Sequence, residues 1–237
     1  MNENLLTIEK RSSINGTFWK KRLINDSLDT DKITDSKLNS ILETILYGRN
    51  IKKEDFDDFL DPKVNKLIID PNELVDMDNA IKEITSAMID NKKIGIIGDY
   101  DVDGTTSSSL LTNFFDHYNI NSDVYIPDRL KDGYGPNIFA FDQFIEKGID
   151  TVITVDCGSA SIKPLEYAHK NNIKVIIIDH HKVDNVLPEC FAHINPTRRD
   201  DNSNLNHLAA VGLTFLFIVA LRRALRDIKE FNNISEP

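Results

Sequence analysis

The sequence is poor in cysteine: Cys157 and Cys190 are the only two among 237 residues. Two cysteines make neither a disulfide framework nor a zinc ribbon, so we expect a reduced, intracellular protein of the cytoplasm. Residues 1–11 lack the apolar core of a signal peptide. The longest apolar run, 208–221, covers about 14 residues, which is too short to span a bilayer and predicts a buried helix. We therefore expect no membrane partner.

Basic residues are also in the minority. The chain has 28 Lys and Arg against 38 Asp and Glu, which gives a net charge of −10. This balance argues against a surface that holds duplex nucleic acid by bulk charge, although it leaves room for a local basic groove. A hydrophobic content of 41% and a charged content of 28% are ordinary for a globular protein.

The residue pattern changes near residue 92. Residues 1–92 show helical patterns and no cluster of residues of catalytic or metal-binding type. Residues 93–237 alternate short β-branched runs with segments of helical length. The alternation predicts an α/β domain with a doubly wound, mainly parallel sheet, preceded by a helical N-terminal segment. Residues 182–206, with two prolines, are expected to be mostly loop. The predicted strands are 94–97, 124–126, 151–155 and 175–178, and the helices between them are 105–117, 137–147 and 161–171.

Three aspartates, Asp99, Asp101 and Asp103, stand at alternate positions after the first strand, followed by Gly104. Carboxylates this close repel one another unless a cation lies between them, so a divalent metal ion is the leading interpretation. A solvated turn is the simpler alternative, because Asp and Gly are common in turns. An EF-hand loop begins in the same way but needs a glutamate at its twelfth position, where this chain has Leu110, and a helix where it has a strand.

Two further predicted strands end in ligand-type residues. Asp156 follows the third strand, and Asp179, His180 and His181 follow the fourth. Each residue alone could be a helix cap or a structural histidine. Because the carboxyl ends of parallel strands meet at one edge of the sheet, the combined pattern favours a metal centre there. Carboxylates alone suit Mg²⁺ or Ca²⁺, and an added imidazole favours an ion such as Mn²⁺.

These residues match a family pattern. The sequences GDYDVDG at 98–104, DCG at 156–158 and DHH at 179–181 resemble the first three signatures of the DHH phosphoesterases. The resemblance is closest to the RecJ-type exonucleases, which degrade single-stranded DNA in the 5′→3′ direction. Further similar landmarks are Trp19 and the segments 59–62, 70–71, 76–78, 125–129, 132–135, 194–196 and 208–212.

The resemblance implies a centre that holds two ions, Mn²⁺ or Mg²⁺. Asp101 and Asp156 would hold one ion, with Asp99 close by. Asp103, Asp156 and His180 would hold the second, so that Asp156 bridges the pair. Such a centre lowers the pKa of a water molecule and neutralises charge at the attacked phosphorus.

The resemblance also implies roles around the ions. His181 would contact a substrate phosphate or support the site, and Asp179 would orient the histidines. The helix predicted to start at Thr105 offers N–H groups and hydroxyls, including that of Ser107, to a phosphate. Tyr134 could stack on a base. Candidate contacts to the DNA backbone are Arg129, Lys131, Lys182, Arg198 and Arg199.

The implied function is the metal-dependent phosphodiesterase core of a 5′→3′ single-stranded-DNA exonuclease in DNA repair and recombination. The family's fourth acidic signature and closing domains are not found in this sequence, which resembles the front part of such an enzyme. A separate C-terminal half or other repair proteins are therefore candidate partners besides single-stranded DNA. Two alternatives stay open: a catalytically impaired remnant or assembly module, and a DHH enzyme acting on small substrates.

Overall fold

The structure is a computed structural model that describes residues 14–17, 37–184 and 186–235. Trp19 lies outside the described residues. The chain divides into two compact units, with the boundary between Ile68 and Ile69. None of the helices that the structure describes is long and apolar enough to cross a membrane.

The first unit contains helices within 37–68, as the sequence predicted. Its described helices are α1 (Lys37–Gly48), α2 (Phe56–Leu60) and α3 (Val64–Leu67), with a 3₁₀ turn at Lys53–Asp55. Gly48 ends α1, which fits the weak helix propensity of glycine. Phe56 is buried and contacts Tyr47 edge to face, with 5.1 Å between the ring centroids.

The second unit is an α/β domain whose five strands form one wholly parallel sheet in the order β2-β1-β3-β4-β5. This confirms the predicted fold class. The chain goes from β1 to β2 on one side and then to β3, β4 and β5 on the other. The strand order therefore reverses between β1 and β3, and ligands of such sheets bind at that point. The elements are α4 (Met77–Ile89), β1 (Ile94–Gly98), α5 (Val102–His117), β2 (Ser122–Tyr125), α6 (Ile138–Glu146), β3 (Thr151–Val155), α7 (Ile162–Lys170), β4 (Lys174–Ile178), β5 (Ala192–Ile194) and α8 (Ala210–Leu225).

Helices cover both faces of the sheet. Alternate strand residues point to opposite sides, so Ile96 packs in the cluster of α4, α5 and α8, whereas Ile97 packs in the cluster of α6 and α7. The three inner strands β1, β3 and β4 are almost entirely buried as a result. This explains their continuous apolar sequences, which are typical of parallel sheets.

Helix α4 belongs to the second unit, so the structural division falls before this helix, whereas the sequence analysis placed it after residue 92. Its apolar stripe, with Met77 and Ile84 fully buried, lies in the same core cluster as Phe217 of α8. The change in sequence pattern marks the start of strand–helix alternation. Helix α4 precedes that start, although it packs against α8 and β5 of the α/β domain.

The segment 182–206 is mostly loop, as predicted, but it also contains β5, a strand that the sequence pattern did not predict. Only three residues long, Ala-His-Ile, β5 is too short to give a β-branched run. All three residues are buried, and Ile194 pairs with Ile178 of β4.

Four neighbouring strands end level with one another. Gly98 pairs with Val155, Val155 with Ile178, and Ile178 with Ile194. The residues that come next are therefore neighbours along the carboxyl edge of the sheet. In sheet order they are Asp99, Asp156, Asp179 and Asn195.

Candidate metal centre

Helix α5 begins at Val102, earlier than the predicted Thr105, and this changes the roles of the aspartates before it. Asp101 is the N-cap, and its Oδ1 accepts a hydrogen bond from the Gly104 N–H at 3.0 Å. Asp103 lies in the first turn. A Cβ at residue 104 would come within 2.5 Å of the Asp99 backbone, so only glycine lets the helix start this close to the strand.

The early helix start also uses the hydroxyls that were predicted to bind phosphate. Thr105 Oγ1 donates to the Asp101 carbonyl at 2.6 Å, and Ser107 Oγ donates to the Asp103 carbonyl at 2.7 Å. The Thr105 N–H is within the helical pattern and donates to the Asp101 carbonyl. Ser107 is fully buried. These groups are therefore not the open first-turn donors that the sequence analysis assumed.

Asp156 lies at the centre of the site in an unusual environment. It is 1% exposed and has a φ of 59°, the left-handed region that non-glycine residues rarely adopt. Within the described part of the chain its Oδ1 accepts no hydrogen bond, although it is buried. Burial, followed by the nearby carboxylates of Asp103 and Asp101, raises the pKa of Asp156 to about 8.

Two groups of candidate ligands share Asp156. Its carboxylate, with those of Asp99 and Asp101, offers oxygens that all lie within 4.8 Å of one another. Asp156 also forms such a group with His180 and His181, and Asp156 Oδ1 is 3.3 Å from His180 Nε2.

Asp103 reaches the second group through His180, because its Oδ2 is 3.6 Å from His180 Nε2. The carboxylate also has a structural role that the sequence analysis missed. Its two oxygens accept the Ala210 and Val211 N–H groups, each at 2.7 Å. The N-cap of α8, Ala209, has no side-chain acceptor, so Asp103 caps that helix from a distance. Each oxygen keeps a second lone pair for an ion.

Asp179 belongs to neither group of candidate ligands, and its carboxylate holds the two histidines in place. Its Oδ1 accepts the N–H groups of His180 at 2.8 Å and His181 at 3.1 Å, and it lies 2.7 Å from His181 Nδ1. Its Oδ2 accepts the Ser159 N–H at 3.1 Å. The Asp179 carboxylate raises the pKa of His181 to about 9, while these hydrogen bonds hold the pKa of Asp179 below its usual range despite burial. With Nδ1 held by Asp179, His181 keeps Nε2 for an ion or a phosphate oxygen.

Aromatic side chains line the open side of the site. The Tyr134 ring, 49% exposed, meets Tyr100 and His181 edge to face at centroid distances of 6.5 and 6.0 Å. Its hydroxyl donates to the Asp156 carbonyl at 2.9 Å, so Tyr134 also holds the backbone of Asp156. The exposed Arg129 guanidinium lies 5.5 Å from the centre of the Tyr100 ring.

One of the predicted DNA-contacting cations has a different role. The Arg198 side chain is only 8% exposed and forms an ion pair with Asp76 at 2.6 Å. It also donates to the His193 carbonyl at 2.5 Å. Arg198 therefore stabilises the loop after β5 and does not present its charge to DNA, contrary to the sequence-based expectation.

The donor set fits a divalent cation. A buried carboxylate oxygen without a donor, flanked by two more carboxylates and an imidazole, is costly unless a cation neutralises it. Carboxylate oxygens suit both Mg²⁺ and Mn²⁺, and the added imidazole nitrogen favours Mn²⁺ of the two. Asp99, Asp101, Asp103, Asp156 and His180 would hold the ions.

The parallel sheet with this acidic edge defines the class of the protein. A family model described as "DHH family, N-terminal domain" matches residues 93–236, and the chain belongs to this family.

Its similar relatives are exonucleases specific for single-stranded DNA. The chain is 39% identical over 158 residues to RecJ of Bacillus subtilis and 36% identical over 168 residues to RecJ of Escherichia coli. A solved structure of exonuclease RecJ bound to manganese matches with a TM-score of 0.59 and 28% identity, covering 64% of this chain and 38% of that one.

The chain matches only part of each relative's length. The alignment covers 67% of this chain and 20% of the B. subtilis protein, and 70% of this chain and 29% of the E. coli protein. The similarity therefore concerns the DHH domain and its neighbourhood, and the activity of the whole relatives extends to this chain only as a proposal.

Proposed function

We propose that this chain is the metal-dependent phosphodiesterase core of a 5′→3′ exonuclease that acts on single-stranded DNA in repair and recombination. The observation that carries the proposal is the buried Oδ1 of Asp156, which belongs to both groups of candidate ligands and receives no hydrogen bond from any described residue. The RecJ relatives at 36–39% identity support the substrate class. Because that substrate is DNA, we expect the protein to act in the cytoplasm.

The ligand assignment starts from the two groups, adds Asp103 because it lies 3.6 Å from His180, and leaves His181 for the phosphate. Asp101 and Asp156 hold one ion, with Asp99 adjacent. Asp103 and His180 complete the second site with Asp156, which is shared. When bound, Mn²⁺ or Mg²⁺ supplies a water of lowered pKa and neutralises charge on the phosphate.

The protein's own groups prepare this site. The Tyr134 hydroxyl and the left-handed backbone of Asp156 fix the shared carboxylate, and Asp179 fixes the tautomer of His181. His181 Nε2 then contacts a phosphate oxygen of the substrate. The hydrogen bond to Asp179 raises the pKa of His181, which strengthens the imidazole as a hydrogen-bond donor to that oxygen.

Single-stranded DNA contacts the aromatic side of the site. The half-exposed ring of Tyr134 offers a face for a base, and Arg129 offers a cation for a backbone phosphate. We do not assign phosphate binding to the Thr105 and Ser107 hydroxyls, since both donate within α5. A separate C-terminal half or another repair protein is proposed as a partner that closes over the strand.

The test is nucleotide release from a long 5′-phosphorylated single strand with Mn²⁺ present. The informative variant is Asp101→Asn, because asparagine keeps the N-cap acceptor for Gly104 while removing the ligand charge. The matched control is Asp116→Asn, which removes the same charge from an exposed position near the other end of α5.

We expect release by the unmodified chain and by Asp116→Asn, and at least about 100-fold less by Asp101→Asn. A 3′-phosphorylated duplex and a dinucleotide serve as comparison substrates. Equal release by Asp101→Asn, or faster turnover of the dinucleotide than of the long strand, would contradict the proposal.

A further inference from the structure

The fourth member of the row at the carboxyl edge is Asn195, which follows β5. It belongs to 194–196, one of the segments that resemble the family. It is fully buried, although asparagine is usually exposed. All of its side-chain groups have partners, which makes its contacts informative.

The Asn195 amide joins two loops that carry candidate ligands. Its Nδ2 donates to Ser159 Oγ and to the His181 carbonyl, each at 2.9 Å. Ser159 lies three residues after Asp156. One amide group therefore bonds to both the loop after β3 and the loop after β4.

A second buried contact strengthens this connection. Ser159 Oγ lies 2.8 Å from His193 Nε2, and the two residues are 3% and 2% exposed. The Ser159 N–H donates to Asp179, which in turn holds His180 and His181. Ser159 thus links β5 to the carboxylate that orients the histidines.

The remaining groups of Asn195 are fixed as well. Its Oδ1 accepts the Thr197 N–H at 2.9 Å, and Thr197 Oγ1 is within hydrogen-bond distance of both Asn195 Oδ1 and the His181 carbonyl. The amide is consequently locked in one orientation, with its donors towards Ser159 and His181.

We propose that Ser159, His193 and Asn195 form a polar clamp that positions Asp156 and His180–His181 at the spacing the divalent ions require. The inference rests on the metal site of the proposed function. The clamp residues are buried behind the site, so they act as positioning residues and not as ligands. Hydrogen-bond partners behind metal ligands typically change metal affinity by roughly 10–100-fold when they are removed.

The test is calorimetric titration of the whole chain with Mn²⁺ alone, which does not depend on nuclease activity. Ser159→Ala removes only the hydroxyl that joins Asn195 and His193, and Asn195→Ala removes the amide. Ser203→Ala is the matched control, since Ser203 is a buried serine whose hydroxyl bonds to Asp201 outside the site. Urea denaturation verifies that each variant is folded.

We expect both clamp variants to raise the Kd for Mn²⁺ by about tenfold or more, with the control within about twofold of the unmodified chain. The double variant should lose less than the product of the single effects, because the two residues share one hydrogen bond of the network. If Ser159→Ala does not fold, Thr197→Val removes a half-buried hydroxyl from the same network and should weaken Mn²⁺ binding in the same direction.

Clamp variants with unchanged Kd, a control that weakens binding equally, or an unmodified chain that binds no Mn²⁺ would each overturn the clamp. Loss of Mn²⁺ affinity in the clamp variants, together with no nuclease activity in the unmodified chain, would overturn the proposed function and support the clamp.

Discussion

Replacing Asp156 by asparagine should stabilise the metal-free protein, although Asp156 is the central candidate ligand. Its pKa of about 8, against an ordinary 3.8, means that burial and two neighbouring carboxylates disfavour its ionised form. At pH 7 the unfolded chain keeps Asp156 ionised, whereas the folded chain protonates it. Protonation at about three pH units above the ordinary pKa costs about 4 kcal/mol of folding free energy. The neighbouring His180 side chain is 32% exposed, so water screens the site. We therefore expect Asp156→Asn to raise the free energy of unfolding of the metal-free protein by only about 2 kcal/mol at pH 7.

The sign of the pH dependence follows from the raised pKa. Between 3.8 and 8 the native protein binds the Asp156 proton and the unfolded chain does not, so this residue lowers the free energy of unfolding as pH rises through that window. The gain from Asp156→Asn should therefore be below about 1 kcal/mol at pH 5 and about 2 kcal/mol at pH 8.

The assay is urea denaturation at these two pH values, in EDTA and in saturating Mn²⁺. The unmodified chain should gain about 3 kcal/mol when the ion is at 100 times its Kd, and Asp156→Asn should gain little. Asp179→Asn is the matched control: it is equally buried, but its carboxylate accepts several hydrogen bonds, so its removal should cost at least about 2 kcal/mol. Lower stability of Asp156→Asn than of the unmodified chain at pH 8 in EDTA would refute the reasoning.

Four further predictions concern the surroundings of the site. Tyr134→Phe keeps the ring but removes the bond to the Asp156 carbonyl, so Mn²⁺ affinity in calorimetry should fall about tenfold while single-strand affinity, measured in Ca²⁺, stays within twofold. Arg129→Gln should weaken single-strand binding and reduce the slope of log affinity against log salt concentration by about one. Arg198→Met should leave DNA binding unchanged. It should lower the free energy of unfolding in urea by about 3 kcal/mol, because Asp76 loses its cationic partner. Burial and Arg198 lower the pKa of His193 to about 4. As pH falls, the unfolded chain therefore protonates His193 before the folded chain does. The free energy of unfolding should drop by up to about 3 kcal/mol from pH 6.5 to 4. A flatter profile in His193→Gln would confirm the source, and an unchanged slope in that variant would contradict it.

The position of the candidate site could be predicted from the sequence because it depends on topology. A β-branched run followed by Asp99, Asp156 or Asp179 marks a strand and its carboxyl end, and parallel strands bring such ends to one edge. Local pattern is enough for this step. The same pattern predicted four of the five strands, and it missed β5 because three residues carry too little periodicity.

Contacts between distant segments could not be predicted in this way. Asp103 caps α8, more than a hundred residues away, and no motif before Ala210 signals that this helix lacks its own cap. The early start of α5 likewise depends on the close approach of Gly104 to Asp99, which propensity does not encode. Arg198 looks like a surface cation until the fold brings Asp76 beside it.

The aspartates at the carboxyl edge of the sheet are of two kinds, one that stabilises the metal-free fold and one that destabilises it. Asp179 is buried with its hydrogen bonds satisfied, so it stabilises the fold with no ion present. Asp156 is equally buried, but no residue in the described part of the chain donates to its Oδ1, so it destabilises the fold until an ion binds. Repulsion would push the Asp156 loop away from its neighbours, and the bonds of Ser159 to Asn195 and Asp179 resist that movement. Holding these like-charged carboxylates close together destabilises the metal-free domain. A bound cation offsets that repulsion, so the arrangement increases the affinity for the ion at the expense of stability without it.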